Sequence, residues 1–197
     1  MKTVGILLFD GVEVLDFAAP FEVFSLAGTR ILPGSFRVKT LSHQSQISAR
    51  NGLVVCPSSI LNHDDLPDVL VLPGGPGTEP LIQESPAVMT WIQEAAIHAS
   101  WVMSICSGAL FLAHCGFLRG RRATTHHSDY EVLKRFEPTA ILQEGRRHVL
   151  DGKFVTSGGI SAGLDSSLFL VAQILGKGPA ESTAHWMEYT SNGWLKN

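Results

Sequence analysis

Positive charge is thinly spread in this chain. No group of Lys and Arg is denser than Arg119, Arg121 and Arg122, and the formal net charge of the 197 residues is −3. Nucleic acids and anionic membranes are recognised through a basic stripe, so neither is expected as a partner; the three arginines read as a solvated helix end. Long apolar runs are absent as well. The N-terminal stretch MKTVGILLFDG stops being apolar at Asp10, too short for a signal-peptide core or a membrane span, and the expected location is cytoplasmic. Cysteine is scarce and odd in number, at three, which points to free thiols and not to a disulfide framework. Neither Cys106 nor Cys115 has a CxxC partner and the nearby histidines lack zinc-finger spacing, so no metal is expected. Repeats, low-complexity tracts and linkers are missing too, and residues 1–197 are read as a single domain. What remains is 45% hydrophobic and 17% charged, the balance of a well-buried protein.

The apolar residues are arranged in two alternating patterns. TVGILLF (3–9), DVLVLPGG (68–75) and WVMSI (101–105) are continuous β-rich runs, as in strands buried on both faces; FRVKTLS (36–42) alternates, and GLVVCPS (52–58) reads as a short extra strand with Cys56 in the core. Between them lie helical patterns at 16–28, with Pro20 in the first turn, and at 85–99, with Pro86 following a Ser85 cap. A helix follows Cys106 and closes at Gly116; another starts at a Ser128–Glu131 capping box. A hairpin over 148–157 turns at Asp151-Gly152, and helices cover 161–176 and 178–191. Alternating strands and helices imply an α/β fold with a mostly parallel sheet covered on both faces. Ligands in such sheets bind beyond the carboxyl ends of the strands. Cys106, Asp16 and the pair Gly74–Gly75 all fall there.

Cysteine is usually buried and inert, and Cys56 and Cys115 are read that way. Cys106 differs because it sits at a strand-to-helix junction among Ser104, Ser107 and Gly108, the arrangement of a nucleophile elbow. The N–H groups of the following helix favour thiolate there. The glycine turn LPGGPGTEP does not have GxGxxG spacing, so no dinucleotide site is indicated. Beside an elbow, the N–H groups of Gly75 and Ser107 form a candidate donor pair for developing charge. Asp16 is open to two readings, as the N-cap of its helix or as a carboxyl group near the cysteine able to move protons near neutral pH. His126 and His127, in TTHHSDY, belong either to a polar loop or to a Cys–His pair with Cys106. His114 reads as a helix-surface residue.

At GILLFDGVEVLDFAAPFEVF, DVLVLPGG, SICSGALFLAHCGFLRGRRATTH and TSGGISAGLD the chain resembles the ThiJ/PfpI superfamily, within the class I glutamine-amidotransferase-like fold. The resemblance implies a flavodoxin-like α/β sandwich, a homodimer with the elbow near the subunit interface, Cys106 as the elbow cysteine, Gly75 and Ser107 as backbone donors, and Asp16 as the accompanying acid. Gly74 and His126 are further candidate substrate-binding residues. LLF, LD, Pro20 and GRRATTH are similar to the isocyanide hydratase branch, which implies cofactor-free hydration of isocyanides to N-substituted formamides. That branch has Thr where this chain has Ser107, and it continues beyond the position of Asn197. The alternatives are glyoxalase- or deglycase-like action on methylglyoxal, with His126 assisting, and a non-enzymatic redox sensor built on an oxidisable Cys106. Relatives that are AraC-type regulators carry a helix-turn-helix module not found in this sequence, and a protease reading is weakened by Ser at 107.

Overall fold

The structure is a computed structural model and describes residues 1–195. The first apolar run forms β1 (Lys2–Leu7), followed by α1 (Val14–Leu26) and β2 (Phe36–Ser42). A small excursion follows, with β3 (Ile47–Ser48) paired antiparallel to β4 (Val54–Val55), then β5 (Ser59–Ile60). The second buried run is β6 (Val69–Leu72), followed by α2 (Thr78–Glu84) and α3 (Pro86–His98). The third is β7 (Trp101–Ile105), which leads through a turn into α4 (Ala109–His114). Then come β8 (Arg122–Ala123), α5 (Tyr130–Phe136), β9 (Ile141–Leu142), the hairpin of β10 (His148–Asp151) and β11 (Phe154–Ser157), and finally α6 (Ala162–Leu175) and α7 (Lys177–Trp186).

The central sheet has the order β10-β11-β7-β6-β1-β2-β5 and is parallel except for β10. Helices cover both faces, as the uniformly apolar strands require: β6 is buried at every position and β1 from Val4 onward. From β1 the chain steps to β2 on one side and later to β6 on the other. The strand order therefore reverses between β1 and β6, and the carboxyl ends of β1, β6 and β7 open a crevice at that switch point.

Several local expectations are corrected. Helix α1 begins at Val14, with Glu13 at the N-cap, so Asp16 lies inside the first turn and caps nothing. Pro20 consequently sits beyond the first turn, where its missing N–H leaves the Asp16 carbonyl without its i+4 donor. Cys56 is exposed, because the extra strand shrinks to two residues at the rim. Helix α5 starts one residue later than expected, with Asp129 and not Ser128 at its N-cap, so no Ser128–Glu131 box forms.

Candidate active site

The elbow follows from backbone geometry. Ile105 ends β7 in extended conformation, Cys106 turns to φ +56, and Cys106–Gly108 make a 3₁₀ turn that runs into α4. A left-handed conformation in a non-glycine residue costs roughly 1–2 kcal/mol, so surrounding bonds must hold it. The Cys106 N–H donates to the Gly158 carbonyl at 3.3 Å, and the Cys106 carbonyl accepts from Thr125 Oγ1 at 2.7 Å. The close approach of the loop after β6 to the elbow requires a glycine: a Cβ on Gly74 would stand 2.5 Å from the Ser107 nitrogen and 2.9 Å from Cys106 Cβ.

Asp16 lies beneath the elbow, fully buried. Its Oδ2 accepts from the Gly74 N–H at 3.2 Å and its Oδ1 from the Ile160 N–H at 2.9 Å. Ile160 is itself left-handed, at φ +54, a conformation seldom taken by a β-branched residue; it turns the Ile160 N–H toward the carboxylate. Burial pushes the Asp16 carboxyl up from 3.8 to about 6, against the lowering effect of those two N–H donors; Glu13 adds to the rise and the Cys106 thiol opposes it.

Burial of the sulfur opposes the expected resting thiolate. Burial, and then the Asp16 carboxylate, push the Cys106 thiol from 9.0 to about 12, while the Ser107 N–H and hydroxyl pull the other way. The short turn delivers only the local Ser107 donor, too little to offset desolvation. Burial and the Asp16 charge both favour a protonated sulfur beside the carboxyl group. Cys106 is 9% exposed, with its open side on a cavity of about 210 Å³.

The expected donor pair is also altered. The Gly75 N–H donates to Ser107 Oγ at 2.9 Å, and Thr78 Oγ1 lies 3.1 Å from the same hydroxyl. Of that pair, the Ser107 N–H is the one directed at the sulfur. Gly74 points its N–H at Asp16 and does not line the cavity. His126 does line it: one ligand atom each of Cys106, His126 and Asp129 lie within 4.8 Å of one another. His127 stacks on His126 with ring centroids 4.2 Å apart and is exposed, outside the cavity wall.

The wall also holds Glu13, Arg50 and Asp129, which the sequence reading missed. Arg50 comes from the turn between β3 and β4, and its Nη1 lies 2.6 Å from Glu13 Oε2. Long-range pairing of this kind leaves no periodic trace. The acidic residue three places before Asp16 was the one available hint.

A model of the DJ-1/PfpI family matches residues 2–173. The chain belongs to the DJ-1/PfpI family. It is 31% identical to the isonitrile hydratase of Pseudomonas putida over 94% of its own length and 78% of that protein's. It is 30% identical, over 86% of its length, to an HTH-type transcriptional regulator of Pseudomonas aeruginosa, of which it spans 50%. Among solved structures, a ThiJ/PfpI family protein from Pseudomonas syringae superposes with a TM-score of 0.86 at 27% identity, over 97% of this chain and 76% of that one. The elbow after β7 and the mostly parallel sheet are thus those of a DJ-1/PfpI protein. Among the described residues no helix is long and apolar enough to cross a membrane.

Proposed function

We propose that this protein is a cysteine-dependent enzyme that hydrates isocyanides to N-substituted formamides. The observation that carries the reading is the buried pair: a fully buried carboxyl group, held by two N–H donors directly behind an elbow cysteine. The similarity to isonitrile hydratase supports the same substrate class.

The proton placement suggests how the steps proceed. The Cys106 sulfur attacks the terminal carbon of R–NC while its proton passes to the Asp16 carboxylate. That proton is then delivered to the same carbon, leaving Cys–S–CH=N–R. Water adds across the C=N bond, with hydroxyl to carbon and hydrogen to nitrogen. Collapse returns the hydroxyl proton to sulfur through Asp16 and releases the formamide. Water is consumed and no redox partner is needed. A resting thiol suits this route, because the first step needs both a nucleophile and a proton. Ser107 and Gly75 position the rim, and His126 lines the same cavity beside Cys106. Dimerisation belongs to the same reading.

Purified protein incubated with an aryl isocyanide should yield one formamide per isocyanide consumed, and Cys106→Ala should yield none. The alternative is glyoxalase-like action on methylglyoxal, favoured by the placement of His126 within 4.8 Å of the cysteine. Consumption of methylglyoxal without formamide formation would select it.

A further inference from the structure

We propose that Cys106, His126 and Asp129 form a binding site for a zinc-like divalent transition-metal ion, which caps the cavity and reversibly blocks the cysteine. Sulfur, imidazole nitrogen and carboxylate oxygen make a donor set that suits zinc, with three protein ligands and a fourth position left to water. The three ligand atoms already lie within 4.8 Å of one another. With Zn–S of about 2.3 Å and Zn–N or Zn–O of about 2.0–2.2 Å, tetrahedral donors stand roughly 3.5 Å apart, so closure of about 1 Å completes the site. The two half-buried side chains, His126 and Asp129, supply that movement, while the elbow holds Cys106 in place.

Three further observations favour this assignment. His126 Nδ1 lies 2.7 Å from Ser128 Oγ, and that hydroxyl donates to Asp129 Oδ1 at 2.9 Å. The Ser128 N–H donates to the same Nδ1 at 3.3 Å, so the ring is held through Nδ1; metal binding at Nε2 moves the ring proton to Nδ1, where it donates to Ser128 Oγ. Position 159 must be glycine for the ring and the thiol to meet: a Cβ there would overlap His126 Cδ2 and stand 3.1 Å from Cys106 Sγ. The cavity wall also carries the carboxylates of Glu13, Glu79 and Asp129 against the single guanidinium of Arg50, a balance that attracts cations.

On binding, a metal–sulfur bond replaces the S–H bond and the proton leaves to solvent; no electrons change hands. The blocking effect rests on the proposed role of Cys106 as attacking group, whereas the binding does not.

Cobalt(II), a coloured stand-in for zinc, separates the two. Titrated into the reduced, metal-free protein, it should produce the near-ultraviolet thiolate-to-cobalt charge-transfer band, which zinc then bleaches. Cys106→Ser should lack the band, and His126→Ala and Asp129→Asn should each weaken cobalt binding by at least about tenfold, since loss of even an outer-shell partner costs 10–100-fold. No band, or unchanged affinity in both His126→Ala and Asp129→Asn, would overturn the site. Zinc should also stop isocyanide turnover, with a chelator restoring it; binding without inhibition would overturn the blocking role. A band in protein that never hydrates isocyanides would uphold the site and count against the hydratase reading alone.

Discussion

Cys106 and Asp16 lie close enough that each sets the other's protonation. The sulfur keeps its proton because burial and a neighbouring carboxylate disfavour thiolate, and the carboxyl rises because it too is desolvated. Alkylation of Cys106 by iodoacetamide should therefore keep accelerating with pH well past the range of an ordinary thiol, without a plateau near neutrality. In Asp16→Asn the same titration should move to lower pH, because the repelling charge is gone. The proposed route needs the ionised carboxylate, so kcat/KM should fall as pH drops through about 6, the value for Asp16. Asp16→Asn should lose roughly 10²–10⁴-fold in rate, the usual contribution of a positioned acid–base group. Full activity in that variant would reduce Asp16 to a structural role.

Between elements, the crevice depends on ties linking the loops after β6 and β7. Ser107 Oγ accepts the Gly75 N–H and meets Thr78 Oγ1, so one hydroxyl joins the elbow to the glycine turn and to the start of α2. Ser107→Ala leaves the Gly75 N–H without that acceptor and should cost about 1–3 kcal/mol, read as a lower urea midpoint at unchanged slope. Ser107→Thr keeps the hydroxyl and should retain most of that stability. Gly74→Ala drives a Cβ to 2.5 Å from the Ser107 nitrogen, a backbone atom with little room to retreat, and should cost about 1–3 kcal/mol as overpacking does. Neither tie is visible in the spacing of residues 72–80 and 101–118. The sequence shows small residues on both sides of the crevice; which N–H meets which oxygen depends on how far β6 and β7 are offset.

For the whole molecule, the buried carboxyl makes stability depend on pH in an unusual direction. The native state binds the Asp16 proton more tightly than the unfolded chain does, since its folded value is about 6 against 3.8. Between those values the native state holds more protons, so this group's contribution to stability falls as pH rises from about 4 to 6 and is level above that. The shift corresponds to roughly 3 kcal/mol at most. Denaturation of the wild type and Asp16→Asn across pH 4–7 should give a difference curve with that slope; a flat difference would mean the carboxyl is not desolvated. Sedimentation should report twice 21.3 kDa if the proposed dimer forms.

The sequence by itself determined the sheet and the place of the site. Continuous apolar runs require strands covered on both faces, alternation with helices requires parallel crossovers, and a cysteine among small residues at a strand end marks an elbow. These are local properties, written in patterns of a few residues. Tertiary structure decided the chemistry of the site. Asp16 became a buried acid and not a helix cap because α1 starts two residues earlier; burial pushes the Cys106 thiol up, against the pull of one short turn. Glu13, Arg50 and Asp129 entered the wall from separate loops. Protonation and long-range pairing depend on which groups share a low-dielectric space, and only the folded chain fixes that.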